Sequence, residues 1–196
     1  FVCCQKTYTY VLFNVFLEVS MKNTDKLFQL SGVDAVLVVS EKNRFYFTGF
    51  ASTFGYLLLF PGNKSTFITD PRYYEMAQSL VADGVEVVEI ANGLSANQTL
   101  AETLAAHEVT TLGFEDTELT VKEYLDFEKA LHEYKLTPVG DNINTVRSVK
   151  SDDEIALIAK AQSITDAAFA DLLKVLKAGM TEIEVRIELE YIMAKH

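Results

Sequence analysis

The sequence contains no tryptophan, only three prolines and nine glycines, and two cysteines among its 196 residues. So little glycine and proline excludes collagen-like and low-complexity chains, and no internal repeat is present. The cysteines, Cys3 and Cys4, are adjacent, which excludes a disulfide framework and a CxxC metal motif and is typical of a protein of the reducing cytoplasm. Because 49% of the residues are hydrophobic, we expect a folded globular protein.

Basic residues are also scarce, with 17 lysines and arginines against 28 aspartates and glutamates, for a formal net charge of -11. Nucleic acids and anionic membranes are bound by clustered basic side chains, which displace counterions from phosphates. No apolar run reaches the ~20 residues needed to span a bilayer. The composition therefore predicts no nucleic-acid partner, no membrane partner and a cytoplasmic location.

Residues 1–20 form an unusual leader that is rich in aromatic and β-branched residues. They lack the small-residue cleavage site of a signal peptide, and Asn14 and Glu18 interrupt their apolar run. Met21 is typical of a natural start. We interpret residues 1–20 as an upstream extension or a gene-model artefact, and the alternative is an extra strand or helix packed on the domain.

From Met21 onward, short strand-like and helix-like segments alternate. This alternation favours an α/β fold, with a mixed, mainly parallel sheet flanked by helices over residues 21–140. Residues 141–150 have little apolar periodicity, which predicts a linker. The predicted strands are 35–39, 44–47, 56–60, 65–69, 85–90, 110–114 and 136–139, and the predicted helices are 25–30, 70–82, 95–106 and 120–132.

Two further helices each begin at a capping box, Ser151 with Glu154 and Thr181 with Glu184. Apolar residues then recur at helical spacing, but no strands accompany these helices. Two amphipathic helices without a sheet do not make a domain, so we expect residues 151–196 to begin a second, truncated domain. Their apolar faces should be exposed, pack together or meet a second copy of the chain.

No complete catalytic constellation can be assembled from these residues. The HExxH, GxSxG, GxGxxG and EF-hand patterns are all absent from the sequence. The three histidines lie at the ends of predicted helices, where the helix dipole favours a positive charge. The acidic groups 115–118 and 152–154 lie at the beginnings of predicted helices, where the dipole favours a negative charge. We therefore predict no catalytic and no metal-ligating residue in this chain, and structural roles for His107, His132 and His196.

Two aromatic motifs are the candidate binding residues. RFYFTGF at residues 44–50 has four aromatic side chains in seven positions, more than one strand face can bury, so some should face a partner or ligand. Core packing is the alternative. In DPRYY at residues 70–74, Arg72 and Tyr73 either face an interface or form a helix cap with a surface pair.

The order of these two motifs around an apolar hairpin resembles the amino-terminal domain shared by creatinase, prolidase and aminopeptidase P. RSVKSDDEI at residues 147–155, followed by Ala161 and by GMTE at residues 179–182, resembles the beginning of their catalytic pita-bread domain. The resemblance covers residues 21–196. It implies the creatinase-like amino-terminal fold for residues 21–140 and a truncated pita-bread domain for residues 151–196.

The resemblance also implies a function for the parent protein. In the family, two metal ions, usually manganese, cobalt or zinc, are held by two aspartates, one histidine and two glutamates of the catalytic domain, and no motif bearing them is present here. The parent would be a proline-specific peptidase that hydrolyses X-Pro bonds, and this fragment would be inactive. The amino-terminal domain would form a homodimer and narrow access to the partner subunit's active site. The candidate contacts to substrate or dimer interface are Arg44, Phe45, Tyr46, Arg72 and Tyr73, of which Phe45 matches a position where aminopeptidase P presents an aromatic side chain.

Two alternatives stay open. One is a creatinase-type amidinohydrolase, which needs no metal and is distinguished by residues of the catalytic domain. The other is a non-catalytic protein-interaction module of the same architecture, as in histone-chaperone relatives, although the long acidic tail typical of those proteins is not found in this sequence. The motif at residues 147–155 also resembles methionine aminopeptidases, which lack a preceding domain of this kind.

Overall fold

The computed structural model describes residues 24–196, so the interpretation of residues 1–20 lies outside the described residues. The chain divides into two compact units between Val146 and Arg147. Residues 24–196 form helices α1 (Asp25–Ser31), α2 (Glu41–Thr48), α3 (Pro71–Leu80), α4 (Ala96–Ala105), α5 (Val121–Ala130), α6 (Gly140–Ser148), α7 (Asp152–Val175) and α8 (Glu182–Met193). The strands are β1 (Ala35–Val38), β2 (Tyr56–Phe60), β3 (Lys64–Thr69), β4 (Val85–Glu89), β5 (Thr111–Phe114) and β6 (Lys135–Pro138).

The first unit, which we call the sheet unit, is built on a six-stranded sheet of order β4-β3-β2-β1-β5-β6. The pairs β3–β4, β1–β5 and β5–β6 are parallel, and the pairs β1–β2 and β2–β3 are antiparallel. The hairpin predicted from the PGNK turn joins β2 to β3, with Asn63 at a φ of 57°. The predicted α/β class, with a mixed and mainly parallel sheet, is confirmed.

Helices cover both faces of this sheet. Because successive strand residues point to opposite faces, Val36 and Val38 of β1 join one core cluster while Ala35 and Leu37 join the other. The first cluster also takes in residues of α1, α2, α3 and α6, and the second takes in residues of α4 and α5. Each β1 side chain is at most 1% exposed, as expected for a strand buried on both faces.

The prediction of a strand at residues 44–47 is wrong. These residues lie in α2, which ends at Gly49 in the left-handed conformation, with a φ of 68°. The buried face of α2 consists of Asn43, Arg44, Phe47 and Thr48. Positions three and four apart share a helix face. Three of these four side chains are polar, so the sequence shows no apolar period of a helix here.

Most of the predicted linker, residues 141–150, lies in α6. Ile143 and Val146, three positions apart, are buried in the first core cluster. The backbone N–H of Gly140 donates to Asp116 Oδ1 at 2.8 Å where the helix begins. Tertiary contacts therefore stabilise a helix whose sequence has little apolar periodicity of its own.

The second unit is a helical hairpin of α7 and α8. Both predicted capping boxes are confirmed, with Ser151 and Glu154 opening α7 and Thr181 and Glu184 opening α8. The buried cluster between the helices consists of Ala168, Leu172 and Ile192. Within residues 24–196, every helix is too short or too polar to cross a lipid bilayer.

Candidate functional site

The two aromatic motifs, far apart in sequence, meet around residues 49–55, which connect α2 to β2 and which we call the 49–55 loop. The Tyr73 hydroxyl of α3 lies 2.7 Å from Thr53 Oγ1 of this loop. The rings of Phe50 and Tyr73 pack edge to face, with centroids 6.3 Å apart. The structure therefore joins the candidate residues of both motifs into one region of the sheet unit.

Arg44 lies inside this region and not on its surface. Arg44 is only 4% exposed. Its guanidinium donates from Nη1 to the carbonyl oxygen of Val39 and from Nη2 to the carbonyl oxygen of Ser52, the latter at 2.7 Å. Burial lowers the pKa of Arg44, while the charges of Glu41 and Glu115 favour its protonated form. Arg44 thus ties the start of α2 to the 49–55 loop.

Phe45 and Tyr46 are half-buried. Tyr46 packs edge to face against Phe47, with ring centroids 4.9 Å apart. Phe45 instead lines an open groove with a volume of about 470 Å³. The other lining residues are Ser40, Glu41, Lys42, Ala51 and Glu118, and Lys42 Nζ pairs with Glu118 Oε1 at 2.6 Å. Phe45 is therefore the candidate side chain that a peptide or a partner can reach.

Arg72 and Tyr73 lie in the first turn of α3, which begins at Pro71. Asp70 is the N-cap of this helix and accepts from the backbone N–H of Arg72 at 3.0 Å, while its Oδ2 accepts from Arg72 Nη2 at 2.6 Å. These bonds hold the pKa of Asp70 below its usual value, with the side-chain bond from Arg72 as the main cause. The Arg72 guanidinium carbon lies 5.5 Å from the centre of the Tyr73 ring. The helix cap and the surface pair are thus both present, and Arg72 remains exposed.

A residue that the sequence reasoning missed is Glu115, which directly follows β5 and is 0% exposed. The sequence pattern groups it with Asp116 and Glu118 as carboxylates before a helix, but the three have separate contacts. Glu115 accepts bonds from Val39, Ser40 and Asn43, Asp116 accepts from the Gly140 amide, and Glu118 pairs with Lys42. The available signal was its position at the carboxyl end of a parallel strand, where polar side chains meet the neighbouring strand end.

The described residues give no support for a bound metal. In residues 24–196, no group of three or more histidine, cysteine, aspartate or glutamate side chains could hold a metal ion. His107 stacks on Phe60 with ring centroids 4.0 Å apart, and its Nδ1 lies 3.0 Å from the carbonyl of Thr103. His132 contacts the carbonyl of Lys129, and His196 pairs with Asp171. Residues 24–196 therefore do not fit the two metal ions that the resemblance implies for the parent protein.

The pattern of helices and strands in residues 24–146 is that of a known domain. The sequence model of the creatinase/prolidase N-terminal domain matches residues 21–149. The chain belongs to this family. It is 37% identical over 167 residues to the uncharacterized peptidase YqhT of Bacillus subtilis, which covers 85% of this chain and 46% of that one.

Solved structures of this family share the fold. The Xaa-Pro dipeptidase from Bacillus anthracis superposes with a TM-score of 0.77 and 33% identity over 87% of this chain and 48% of that one. The N-terminal domain of the cytoplasmic peptidase PepQ from Mycobacterium tuberculosis gives a TM-score of 0.55 and 30% identity over 64% of this chain and 98% of that one. This chain spans about half the length of the curated relatives it matches.

Proposed function

We propose that this chain supplies the amino-terminal domain and the first catalytic-domain helices of a proline-specific dimetal peptidase, of the prolidase or aminopeptidase P type. The match to the creatinase/prolidase N-terminal domain over residues 21–149 carries this proposal. The similarity to an Xaa-Pro dipeptidase over 87% of the chain supports it. The two divalent ions, manganese, cobalt or zinc, would be held by the family's catalytic domain, so residues 24–196 alone would not hydrolyse X-Pro bonds.

In this proposal the sheet unit forms a homodimer in the cytoplasm and narrows access to the partner subunit's active site. Phe45, Arg72 and Tyr73 would provide the contacts, because they lie at the surface around the 49–55 loop. Tyr46, which is half-buried and packs on Phe47, would provide a further contact. An aromatic side chain suits a proline-containing peptide, since the proline ring is apolar and packs well on an aromatic face.

The test compares the native protein that contains this sequence with the 196-residue chain. Intact mass and peptide mapping first show whether residues follow His196, and both proteins are then assayed on an X-Pro dipeptide and an X-Pro tripeptide with manganese. We expect turnover by the native protein and none by the chain. Turnover by the chain alone would place the catalytic residues within it, and an inactive native dimer would favour the interaction module.

The substitution Phe45→Ala in the native protein tests the proposed contact. Loss of one aromatic contact to substrate should raise KM about tenfold and change kcat by less than about twofold. Tyr124→Ala is the matched control, because Tyr124 is a half-buried aromatic residue of α5, which packs on the opposite sheet face. An equal rise in KM for both variants would contradict a specific role of Phe45.

A further inference from the structure

Two buried charged residues hold the turn between β1 and α2. Glu115 Oε2 accepts from the backbone N–H groups of Val39 at 2.9 Å and Ser40 at 2.8 Å. Arg44 donates to the carbonyl oxygen of the same Val39. The amide and the carbonyl of one residue are thus bonded to charges of opposite sign, and both charged residues are at most 4% exposed.

Helix α2 depends on Glu115 because its local cap is missing. Within the described chain, the Ser40 side chain makes no capping bond to α2. Its hydroxyl donates instead to Glu115 Oε1 at 2.6 Å, and the Asn43 side-chain amide donates to the same oxygen. A carboxylate at a helix N-terminus is favoured by the helix dipole, and this one comes from 75 residues away in sequence.

Arg44 extends the same connection to the other end of the helix. Its Nη2 donates to the carbonyl of Ser52 in the 49–55 loop at 2.7 Å. Phe45, the next residue, lines the groove together with Ala51 of that loop. A shift of α2 relative to β5 would therefore move the ring of Phe45 and one wall of the groove together.

We propose that Glu115 and Arg44 are positioning residues that orient Phe45 toward the groove by fixing α2 and the 49–55 loop. The effect on X-Pro peptides rests on the proposed function, whereas the positioning of the ring does not. Among the described residues, Glu115 is not part of the groove lining, and its hydrogen bonds are to Val39, Ser40 and Asn43.

The absence of tryptophan from the sequence gives a direct probe of this positioning. Phe45→Trp in the 196-residue chain gives this chain a single tryptophan. The adjoining groove of about 470 Å³ has room for the larger ring. The Stern–Volmer constant for acrylamide quenching then measures how accessible the ring at position 45 is. Amide hydrogen exchange at Val39 and Ser40 measures the two bonds to Glu115 independently of the probe.

Two conservative variants in this background separate reach from charge. Glu115→Gln loses the charge but can rebuild the bonds, because its oxygen can accept both backbone amides. Its amide nitrogen would take the place of Oε1 and, once the Asn43 amide turns over, can donate to Asn43 Oδ1, which has no hydrogen-bond partner among the described residues. Glu115→Asp keeps the charge but is one methylene too short to reach both amides.

We expect Glu115→Gln to stay close to the parent in both measurements. Glu115→Asp should speed exchange at Val39 and Ser40 about tenfold and raise the quenching constant about twofold, since hydrogen bonds are lost there. Arg44→Lys, which has a single donor group for two distant carbonyls, should raise the quenching constant as well. The reverse order, with Glu115→Gln more perturbed than Glu115→Asp, would overturn positioning by hydrogen-bond reach.

Asp34→Ala is the matched control for a general loss of stability. Asp34 Oδ2 accepts from the backbone amides of Thr110 at 3.0 Å and Thr111 at 2.8 Å. It therefore joins the starts of β1 and β5, whereas Glu115 lies at the ends of these strands. The control should speed exchange at Thr110 and Thr111 and leave the quenching of Trp unchanged. Equal quenching in the Asp34→Ala and Glu115→Asp variants would overturn the proposal.

The functional consequence has its own readout in the native protein. Glu115→Asp should raise KM for an X-Pro peptide while leaving kcat nearly unchanged. Glu115→Gln, in contrast, should keep the KM of the parent protein. A native protein without X-Pro hydrolysis would refute the proposed function and leave the quenching result standing. If the native protein is active and Glu115→Asp changes the quenching constant but not KM, the proposed effect of the Phe45 ring position on substrate binding is overturned.

Discussion

The sheet unit and the helical hairpin have similar proportions of apolar residues but bury their apolar side chains to different extents. Among residues 24–196, the hairpin side of the chain holds most of the large apolar side chains that are exposed, although it is much the shorter unit. Those of residues 147–196 are Val149, Ile155, Ile158, Phe169, Leu173, Val175, Leu176, Ile183, Ile187 and Tyr191. Those of residues 24–146 are Leu30, Met76, Leu80, Leu94, Val121 and Leu125.

The difference follows from the number of neighbours that each element has. A strand such as β1 is covered on both faces and paired at both edges, whereas within the second unit each helix has the other helix as its neighbour. One helix neighbour buries a single stripe, here Ala168, Leu172 and Ile192. An amphipathic pattern therefore predicts a helix, but it does not indicate whether other residues of the same chain bury the apolar face of that helix.

The largest expected difference between the two units is in the free energy of unfolding after the same core truncation. Leu58 in β2 is 0% exposed and lies between Leu37 of β1 and Thr66 of β3. Leu58→Ala should therefore lower the free energy of unfolding by about 3–5 kcal/mol, because a packed sheet cannot collapse around the cavity.

Leu172→Ala is the matched truncation in the hairpin, where Leu172 is 5% exposed. It should cost no more than about 2 kcal/mol, because a two-helix contact can close around the missing atoms. Urea denaturation followed by circular dichroism, with amide exchange to assign each transition to a unit, measures both values. Equal losses would break the comparison between the units.

The next effect is on dye-accessible apolar surface. Phe169 and Leu173 are each 56% exposed and lie four positions apart on α7, so they share one face of that helix. The chain should bind 1-anilinonaphthalene-8-sulfonate with enhanced fluorescence, and Phe169→Gln with Leu173→Gln should remove much of the enhancement.

Val121→Gln with Leu125→Gln provides the control for that experiment. These residues have the same spacing on α5, with exposures of 77% and 54%, but belong to the sheet unit. Since few exposed apolar neighbours extend this pair, the enhancement should hardly change. A larger loss of dye fluorescence from the α5 variant would show that the accessible apolar surface lies on the sheet unit.

Local signals in the sequence were sufficient wherever an element is specified by its own residues. The capping boxes of α7 and α8, the Asp-Pro start of α3 and the PGNK hairpin turn were all predicted and are all present. Each depends on residues within four positions of one another, so the sequence pattern contains the whole physical cause.

Helix α2 shows where such signals fail. RFYF is rich in residues that favour strands, yet the helix is stabilised by Glu115, 75 residues beyond Ser40 in the sequence. The geometry of the candidate site depends on distant residues for the same reason. The two aromatic motifs meet at the 49–55 loop, but no local pattern indicates this meeting, the burial of Arg44 or the positioning of Phe45 by a distant carboxylate.

The smallest expected difference concerns one motif that occurs in both units. Thr120 with Glu123 opens α5, and Thr181 with Glu184 opens α8, with matching hydrogen bonds. Bonds from Thr120 and Thr181 lower the pKa of the two carboxyls below the usual 4.5. Such a group stabilises the folded chain above its unfolded pKa, and the contribution is lost as the pH falls through the lower folded pKa.

Acid should therefore loosen both helix starts at pH values below about 4.5, and α8 more than α5. The buried residue of α5, Phe127, lies one turn after its capping box, whereas the buried residue of α8, Ile192, lies near the end of that helix, so the start of α8 depends more on its capping box. Amide protection factors of Tyr124 and Val185, followed from neutral pH into this range, measure the difference. Glu184→Gln should flatten the pH dependence of Val185 protection, because glutamine keeps the capping bond and does not titrate. An unchanged pH dependence in that variant would exclude the capping box as its cause, and equal losses at Tyr124 and Val185 would mean that tertiary packing does not protect helix ends in this chain.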